Sequence, residues 1–246
     1  MSKQTRSVIV TGSSSGIGLE VARLFLNEGA NVVVHGRDSK KLAKAATELG
    51  VPDRVAAVAG DIGQRETGEA LARVAVERFG KVEVLINNAG AFAPKPFVEV
   101  TEEELDSFLD GNLRGTYLTT QAVVRRMKQQ GQGGAIVNIG TVLIDHAIGG
   151  FPASAPLASK GGVHALTRSL AAELAPDRIR VNMVAPGVVR TPLHATVDVD
   201  AFGGIALLNR IGEGSEIAEA VRYLVGAEFV TGHILPVDGG FVTGRA

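Results

Sequence analysis

The sequence contains no cysteine and no tryptophan, and it has only two tyrosines. Without cysteine the chain can form neither disulfides nor thiolate sites, which excludes the class of small secreted domains held by disulfides. The scarcity of tyrosine bears on catalysis, because a phenol is one of the few side chains that can transfer a proton in an active site. Both tyrosines, Tyr117 and Tyr223, fall inside predicted helices.

The chain also lacks a charge imbalance and a long apolar run. Its 25 basic and 26 acidic residues give a formal net charge of -1, so charge offers no reason to expect nucleic acid or a membrane surface as a partner. No apolar run reaches the roughly 20 residues that cross a bilayer, and the polar stretch 1–7 has no signal-peptide core. We therefore expect a cytoplasmic protein that acts on a small molecule, without a metal site.

Short runs rich in valine and isoleucine alternate with helical patterns along the whole chain. Such strands are typical of a parallel sheet covered on both faces, and the alternation favours a doubly wound α/β fold. The predicted strands are Ser7–Val10, Asn31–Val34, Arg54–Ala59, Val82–Ile86, Ala135–Ile139, Ile179–Val184 and Ile234–Val237. The predicted helices are Ile17–Phe25, Lys40–Leu49, Glu66–Phe79, Glu102–Leu109, Leu113–Lys128, Leu157–Leu174 and Ser215–Leu224. We expect one Rossmann-type domain over residues 1–246, with helices on both faces of about seven strands.

The least regular stretch is Pro192–Gly214, after the sixth strand. Loops of this kind carry function more often than the elements they connect, so we expect a substrate-covering lid at about residues 190–214. Four apolar residues are candidates for a substrate pocket, although packing in the core or the lid is the commoner role of such side chains. They are Phe92, Phe151, Leu193 and Phe202.

Glycines are concentrated where the first strand meets the first helix, in Thr11-Gly12-Ser13-Ser14-Ser15-Gly16-Ile17-Gly18. Glycine allows a tight turn and a close approach of the backbone to a pyrophosphate, and the helix N-terminus adds free N–H groups and a positive dipole end. A plain tight turn is the alternative. The position between a strand and a helix favours nucleotide binding.

Further motifs follow in a fixed order along the chain. They are Asn87-Asn88-Ala89-Gly90 after the fourth strand, Asn112, Asn138-Ile139-Gly140, Pro186-Gly187 and Val237-Asp238-Gly239-Gly240. With the glycine segment, they make the chain resemble the classical short-chain dehydrogenase/reductase family, and especially its 3-oxoacyl-ACP-reductase-like members, from about Arg6 to Phe241. The resemblance implies a Rossmann fold, hydride transfer to or from a nicotinamide, and a homotetramer whose contacts use the helices 113–128 and 157–174.

The end of the second strand bears on which nicotinamide cofactor binds. An NAD enzyme usually places a carboxylate there for the ribose 2′-hydroxyl, but here Gly36 holds that position and Arg37 follows. Arg37, Lys40 and Lys41 oppose the dipole of the next helix, and a bound 2′-phosphate would offset that cost. We expect NADP(H) rather than NAD(H). A solvated basic surface is the alternative. Ser15 counts against the expectation, because many NADP-preferring members of the family have a basic residue at this position.

The resemblance also implies the other cofactor contacts. Asp61 and Ile62 would flank the adenine, and Asn88 and Gly90 would line the path to the nicotinamide. Val189 and Thr191 would meet the carboxamide end. Turn chemistry is the alternative for Asp61 and for Asn88. The expected cofactor-binding set is Gly12, Ser14, Ser15, Gly16, Ile17, Gly18, Arg37, Asp61, Ile62, Asn88, Gly90, Lys160, Pro186, Val189 and Thr191.

The family's chemistry uses a tyrosine, a lysine four residues later on the same helix face, a serine and an asparagine. Lys160 fits the lysine by its Ala-Ser-Lys context, and Asn112 fits the asparagine, with a helix-boundary cap and a solvated lysine as the alternatives. Thr141 takes the serine position. Four residues before Lys160 stands Pro156, which has no titratable group but is accommodated in a helix's first turn.

The absent tyrosine leaves the proton source open. His146, in the loop after Thr141, is a candidate substitute acid because histidine titrates near neutral pH, although a lone loop histidine is more often simply exposed. Two functions follow. The first is an NADP(H)-dependent oxidoreductase for a carbonyl or alcohol substrate, with weak or altered catalysis; the second is a non-catalytic NADP(H)-binding subunit or regulator.

Overall fold

The computed structural model describes residues 5–192 and 198–244, along which strands alternate with helices. The strands are β1 (Ser7–Val10), β2 (Asn31–Gly36), β3 (Val55–Ala59), β4 (Val84–Asn87), β5 (Gly134–Ile139), β6 (Ile179–Pro186), β7 (Val189–Arg190), β8 (Gly212–Glu213) and β9 (Ile234–Val237). The helices are α1 (Gly16–Asn27), α2 (Ser39–Glu48), α3 (Arg65–Phe79), α4 (Glu102–Phe108), α5 (Gly115–Gln130), α6 (Ser154–Glu173) and α7 (Gly214–Gly226).

The central sheet is parallel and has the strand order β3-β2-β1-β4-β5-β6-β9. The order reverses between β1 and β4, which opens a crevice at the carboxyl ends of these strands, where ligands bind in open α/β sheets. All residues of β1 and β4 are buried, as expected for a parallel sheet covered on both faces. The predicted single Rossmann-type α/β fold is confirmed, and β7 with β8 adds a separate pair.

Two apolar layers cover the sheet. On one face α1 packs against α7, and Phe25, Val221 and Leu224 are fully buried there. On the other face α3 packs against α5, with Leu71 and Met127 buried between helix and sheet. Each such large side chain contributes about 1.5–3 kcal/mol by leaving water. These layers hold the strand ends, and so the loops of the crevice, in fixed positions.

Two helix boundaries differ from the sequence prediction in ways that matter for the crevice. Helix α6 begins at Ser154 rather than Leu157, so Pro156 is its third residue. The first four N–H groups of a helix have no partner within it, so a proline at this position loses no helical hydrogen bond. Helices α4 and α5 are joined by the π-helical turn Leu109–Arg114. Asn112 lies inside that turn, so its interpretation as a helix-boundary cap is wrong.

The predicted lid is described at residues 190–192 and 198–214, and residues 193–197, including Leu193, lie outside the described residues. Arg190 of β7 donates to both carboxylate oxygens of Asp200, at 2.5 and 3.1 Å, and to Glu213 of β8 at 3.1 Å. These ion pairs join the start of the predicted lid, at β7, to its middle and to its end, at β8. Within 5–192 and 198–244, no helix has both the length and the apolar character needed to cross a membrane.

Candidate active site

The glycine segment after β1 has a backbone conformation and a close packing that residues with a Cβ could not adopt without strain. Gly12 and Gly16 have φ of +62° and +58°, in the left-handed region that favours glycine. A Cβ on Gly12 would lie 2.7 Å from the Cα of Ala89, and one on Gly18 would lie 2.5 Å from the Nδ2 of Asn88. The segment is therefore held against the loop after β4 at backbone distance.

Hydrogen bonds join these two loops. The Thr11 hydroxyl accepts from the N–H groups of Asn88 and Ala89, at 3.0 and 2.9 Å. The Asn88 side chain donates to the carbonyls of Thr11 and Gly12, at 3.0 and 2.9 Å. Among the described residues, positive φ outside glycine occurs only at Arg178 and Asn209, so Asn88 does not serve as a left-handed turn residue. Its amide instead braces the glycine segment.

A side chain that the sequence analysis missed also holds this segment. His35, in β2, is buried with 1% exposure, and its ring lies between the N–H of Gly12 and the carbonyl of Gly60, both at 3.1 Å. Its backbone N–H donates to the Ser13 hydroxyl at 2.9 Å, and its carbonyl accepts from the Ser13 N–H at 2.8 Å. Desolvation lowers the pKa of His35, partly opposed by the Gly60 carbonyl and by the charge of Asp61. The signal in the sequence was a polar residue in an otherwise apolar strand.

The N-terminus of α1 is open toward the crevice. The N-cap Ser15 is extended and its side chain makes no capping hydrogen bond, and the first turn carries no acidic residue. Free N–H groups at a helix N-terminus bind anions. The glycine segment, held at backbone distance from the loop after β4 and followed by N–H groups that no side chain caps, forms a cradle that fits the pyrophosphate of a dinucleotide.

The end of β2 carries the predicted specificity residues. A Cβ on Gly36 would lie 3.1 Å from the hydroxyl of Ser14, so the glycine keeps β2 close to the loop. Arg37 and the two lysines that follow are exposed. The structure thus places a basic surface beside the glycine segment.

Contrary to the expectation from the sequence, the unfavourable lysines in the first turn of α2 are offset within the protein itself. Asp38 is the N-cap of α2, and its carboxylate accepts from the N–H groups of Lys40 and Lys41 at 2.9 and 3.1 Å. A carboxylate at an N-cap is stabilising and offsets the unfavourable lysines. A bound phosphate is therefore not needed to offset a penalty at α2, and the case for a 2′-phosphate depends on Gly36 and the exposed Arg37.

The residues expected around the adenine and the nicotinamide divide into exposed and buried ones. Asp61 is exposed, and its carboxylate accepts from the Gly63 N–H at 2.9 Å, which is strand-end turn chemistry. Ile62 is buried in the core beside α5. Thr191 lies next to the glycine segment, since a Cβ on Gly16 would come 3.5 Å from the Thr191 Cβ. Pro186 and Val189 are buried at the end of β6 and in β7.

Lys160 lies at the carboxyl end of β5. Its ammonium donates to the carbonyls of Gly140 and Ile139 at 3.2 and 3.4 Å. Desolvation lowers the pKa of Lys160 to about 8. The neighbouring Thr141 caps a short 3₁₀ turn, its hydroxyl accepting from the Leu143 N–H at 3.3 Å. The structure therefore brings Lys160 and Thr141 together.

Asn112 connects three segments of the site. Its amide oxygen accepts from the Ala91 N–H at 2.7 Å, and its Nδ2 donates to the Ala91 carbonyl and to the Ser159 hydroxyl at 3.1 and 2.8 Å. The Ser159 hydroxyl in turn donates to the Pro156 carbonyl at 2.9 Å. The π-helical turn, the loop after β4 and the first turn of α6 are thus joined through one buried asparagine. Isolated π turns frequently mark functional sites.

A buried polar row supports these segments from below. Asn87 donates to the Thr120 hydroxyl at 2.9 Å and to the side-chain oxygen of Asn138 at 2.8 Å. Asn138 donates to the Thr167 hydroxyl at 2.9 Å. The side-chain oxygen of Asn87 is buried without a hydrogen-bond partner, but the side-chain nitrogens of both asparagines are engaged, and such buried bonds fix the relative positions of their elements. Here β4, β5, α5 and α6 are held together directly beneath the crevice.

The other predicted residues line loops beside the site. The His146 ring is half-buried and packs edge-on against Phe241, with 5.0 Å between ring centroids. Phe92 and Phe151 stack with centroids 6.2 Å apart, which joins the loop after β4 to the loop before α6. Phe202 is 39% exposed in the 3₁₀ segment Val199–Ile205, within the predicted lid. The stacked pair is thus the apolar wall that the described residues offer.

Comparisons with known proteins match nearly the whole chain. A family described as enoyl-(acyl carrier protein) reductase matches residues 12–242. Carbonyl reductase family member 4 of Xenopus tropicalis is 35% identical over 236 residues, which are 96% of this chain and 98% of the relative.

Solved structures agree with this. A short-chain type dehydrogenase/reductase from Mycobacterium marinum has a TM-score of 0.93 and 30% identity, covering 98% of this chain and 97% of that one. A 3-ketoacyl-(acyl-carrier-protein) reductase from Brucella melitensis, crystallised with NADH, has a TM-score of 0.89 and 33% identity, covering 96% and 98%. The likeness therefore extends over the whole fold rather than one motif.

Proposed function

Because this chain belongs to the classical short-chain dehydrogenase/reductase family, we propose that it is an oxidoreductase that binds NADP(H) and acts on a small carbonyl or alcohol substrate. One observation carries the proposal: the glycine cradle and the open N-terminus of α1 meet, at one edge of the sheet, the segment that carries Lys160. The family binds NAD(P)(H). We also propose a cytoplasmic location, consistent with the absence of cysteine.

Different residues of the crevice bind different parts of the cofactor. The Ser14–Gly18 segment offers backbone N–H groups to the pyrophosphate, and Gly12 keeps this segment close to the loop after β4. Asp61 and Ile62 stand at the adenine end, whereas Asn88, Gly90, Pro186, Val189 and Thr191 lie along the nicotinamide side. Lys160 donates to the nicotinamide ribose, which needs only an ammonium and its hydrogen bonds. When bound, the nicotinamide supplies or accepts the hydride.

The preference for NADP(H) over NAD(H) rests on the end of β2. An exposed Arg37 beside a glycine, instead of a carboxylate, suits a 2′-phosphate and leaves a ribose 2′-hydroxyl without its usual acceptor. Asp38 does not oppose this, because its carboxylate is engaged by the two N–H groups of α2. The proposal therefore assigns the selectivity to Arg37.

Proton transfer is the weak step of the proposed reaction. Pro156 stands where the resemblance places the tyrosine, and it carries nothing that can donate a proton. Loss of a general acid typically costs about 10²–10⁴-fold in rate. Reduction then depends on water, the substrate, His146 or the Lys160 ammonium, whose pKa of about 8 suits proton transfer near neutral pH. Thr141 keeps a hydroxyl that can orient the substrate oxygen.

The same proline favours a second candidate function, a cofactor-binding subunit or regulator without catalysis. Pro156 is buried, and its carbonyl is hydrogen-bonded into the Ser159–Asn112 connection, so the site keeps its architecture without the tyrosine. A protein under selection only for binding would retain this arrangement. Both functions predict cofactor binding, and they differ in turnover.

The deciding experiment is a binding titration with NADPH and NADH, followed by a turnover assay with a panel of ketones. We expect micromolar or tighter NADPH binding and slow, measurable reduction that Lys160→Met lowers further. Binding without any turnover above the Lys160→Met background would support the second function. Failure to bind either cofactor would refute both.

A further inference from the structure

His35 occupies an unusual place in the sheet. It follows Val32, Val33 and Val34, all fully buried, and its ring is as buried as theirs. The ring touches two segments that the chain separates widely, the glycine segment at Gly12 and the end of β3 at Gly60. These segments flank the place where the proposed function puts the adenosine half of the cofactor.

The partners of the ring settle where its proton lies. The backbone N–H of Gly12 can only donate, so Nδ1 must accept at 3.1 Å. The carbonyl of Gly60 can only accept, so Nε2 must carry the proton and donate at 3.1 Å. Both ring nitrogens are satisfied by the neutral form alone. A proton on Nδ1 would point at the N–H of Gly12 and break that contact.

We propose that His35 is a positioning residue for cofactor binding: as a neutral imidazole it fixes the N–H of Gly12, and with it the left-handed turn that opens the pyrophosphate cradle. The inference rests on the proposed function for its consequence, but the brace itself is a property of the free protein. Gly12 needs such a support because a glycine, which has no Cβ, can leave its observed φ of +62° for other conformations at little cost.

The charges around the ring come from few places. On the β3 side, Asp61 follows Gly60 and acts on the ring by its charge, while its carboxylate accepts from Gly63. Directly after β2, the strand that contains His35, Arg37 and Asp38 are exposed. The glycine segment 11–18 carries no titratable side chain. Burial thus outweighs the one nearby carboxylate and keeps the ring neutral.

Two substitutions separate the two ring contacts. His35→Asn places an amide oxygen where Nδ1 stands, so it can accept from Gly12 but not reach Gly60. His35→Gln places its amide where Nε2 stands, so it can donate to Gly60 but leaves the Gly12 N–H without its acceptor. We expect NADPH affinity within about threefold of wild type for His35→Asn, and about 5–100-fold weaker for His35→Gln, the effect of one unsatisfied buried donor. Equal affinities in the two variants would overturn the proposal.

A second measurement uses the protein without cofactor, because a phosphate monoester itself titrates at about pH 6. The pKa of His35 is lowered in the folded state, so stability is complete above the unfolded value of about 6.5 and falls as the pH drops below it. The unfolding equilibrium constant of wild type should rise by up to about tenfold per pH unit more than that of His35→Asn, which has no proton to gain. Parallel pH profiles would contradict the brace.

Amide exchange in the same free protein keeps the proposal testable if His35→Gln folds poorly. In wild type at pH 7 the Gly12 amide, although it lies outside β1, should be protected, because the neutral ring accepts from it. Exchange of Gly12 at the rate of an unprotected amide, with Ile9 of β1 still protected, would overturn the brace. If neither wild type nor His35→Asn binds NADPH while Gly12 is protected, the proposed function fails and the brace stands.

Discussion

At the scale of single residues, Pro156 decides more than any other position. It is buried in the first turn of α6, one turn before Lys160, with its carbonyl tied to Ser159. Proline has no N–H and needs none at this position, so the helix forms normally. The side chain that would carry a proton is replaced by one that cannot. The fold of α6 and the supply of a proton are therefore separate questions at this position, and substitutions of Pro156 can test each of them.

Pro156→Tyr should raise turnover by up to about 10²–10⁴-fold, the value of a placed general acid. The new phenol would stand one helical turn before the ammonium of Lys160, which favours its ionised form. Steady-state reduction of a ketone with NADPH measures the gain, and Pro156→Phe controls for ring size without a hydroxyl. Brisk turnover by wild type, with no gain in Pro156→Tyr, would show that no acid is missing; a large loss in His146→Ala would then identify the substitute.

Arg37→Ala should weaken NADPH binding and leave NADH binding nearly unchanged. The charged hydrogen bonds of a guanidinium to a phosphate are among the stronger ones, at about 1.5–3 kcal/mol. Lys44→Ala is a matched control, since Lys44 lies farther along α2 and is 79% exposed beside Glu48. Equal losses for NADH and NADPH in a titration would exclude the assignment of 2′-phosphate recognition to Arg37.

The lowered pKa of Lys160 makes a prediction about stability and pH. Its folded value of about 8 lies below the unfolded value of about 10.4, so between them the unfolded chain binds more protons and stability rises with pH. The cost of burying the ammonium is complete below pH 8 and is lost above the unfolded value. Thermal denaturation of the free protein from pH 7 to 10 should show this slope in wild type and not in Lys160→Met. A slope that survives in Lys160→Met would assign it elsewhere.

At the scale of elements, the site depends on how the carboxyl ends of β1, β4 and β5 are joined to α6. Lys160 approaches the end of β5 through two carbonyls, and Asn112 reaches α6 through Ser159. The π-helical turn Leu109–Arg114 widens the helix by one residue and presents Asn112 inward. This connection is the one that a regular α4–α5 helix would not make.

Ser159→Ala should destabilise the protein by about 1–3 kcal/mol, because it leaves the buried amide of Asn112 short of a partner. It should also lower turnover, since the π-helical turn loses its contact with α6. Ser169→Ala is the control, an exposed serine on the same helix. Urea denaturation gives the stability difference, and a near-zero value for Ser159→Ala would mean that the Asn112–Ser159 bond at 2.8 Å contributes nothing.

The sequence predicts the strands that are buried on both faces, but it does not predict the exact start of α6 or the π-helical turn. β1 begins and ends at the predicted residues, because an apolar run such as Val8–Val10 suits a covered parallel strand. β9 also has its predicted bounds, although its residues are only half-buried or exposed. The start of α6 was predicted three residues late, at Leu157, although Pro156 was correctly expected in the first turn of this helix. The π-helical turn has no signature of its own in sequence. Most site residues followed from motif order, but the ring contacts of His35 depend on a meeting of distant segments that no local pattern encodes.

At the scale of the whole molecule, assembly remains a prediction from the family resemblance. Helix α5 has an exposed face that includes Tyr117, 51% exposed, and the segment before α4 exposes Phe97 and Val98 at 77% and 89%. Exposed large apolar side chains of this kind are candidates for a contact surface. Tyr223 on α7 is equally exposed, at 55%, but lies on the other face of the sheet.

We therefore expect a homotetramer, with light scattering giving about four times the 25.5 kDa of one chain. Tyr117→Asp should lower that mass, because a carboxylate without a partner is costly to bury in a subunit contact. Tyr223→Asp makes the same change on α7 and should leave the mass unchanged, which separates loss of the contact from a general effect of charge. Both variants place the new charge on an exposed helix position, so neither should unfold the monomer. A wild-type mass near 25.5 kDa would refute the tetramer, and equal shifts in the two variants would refute the assignment of the contact to α5.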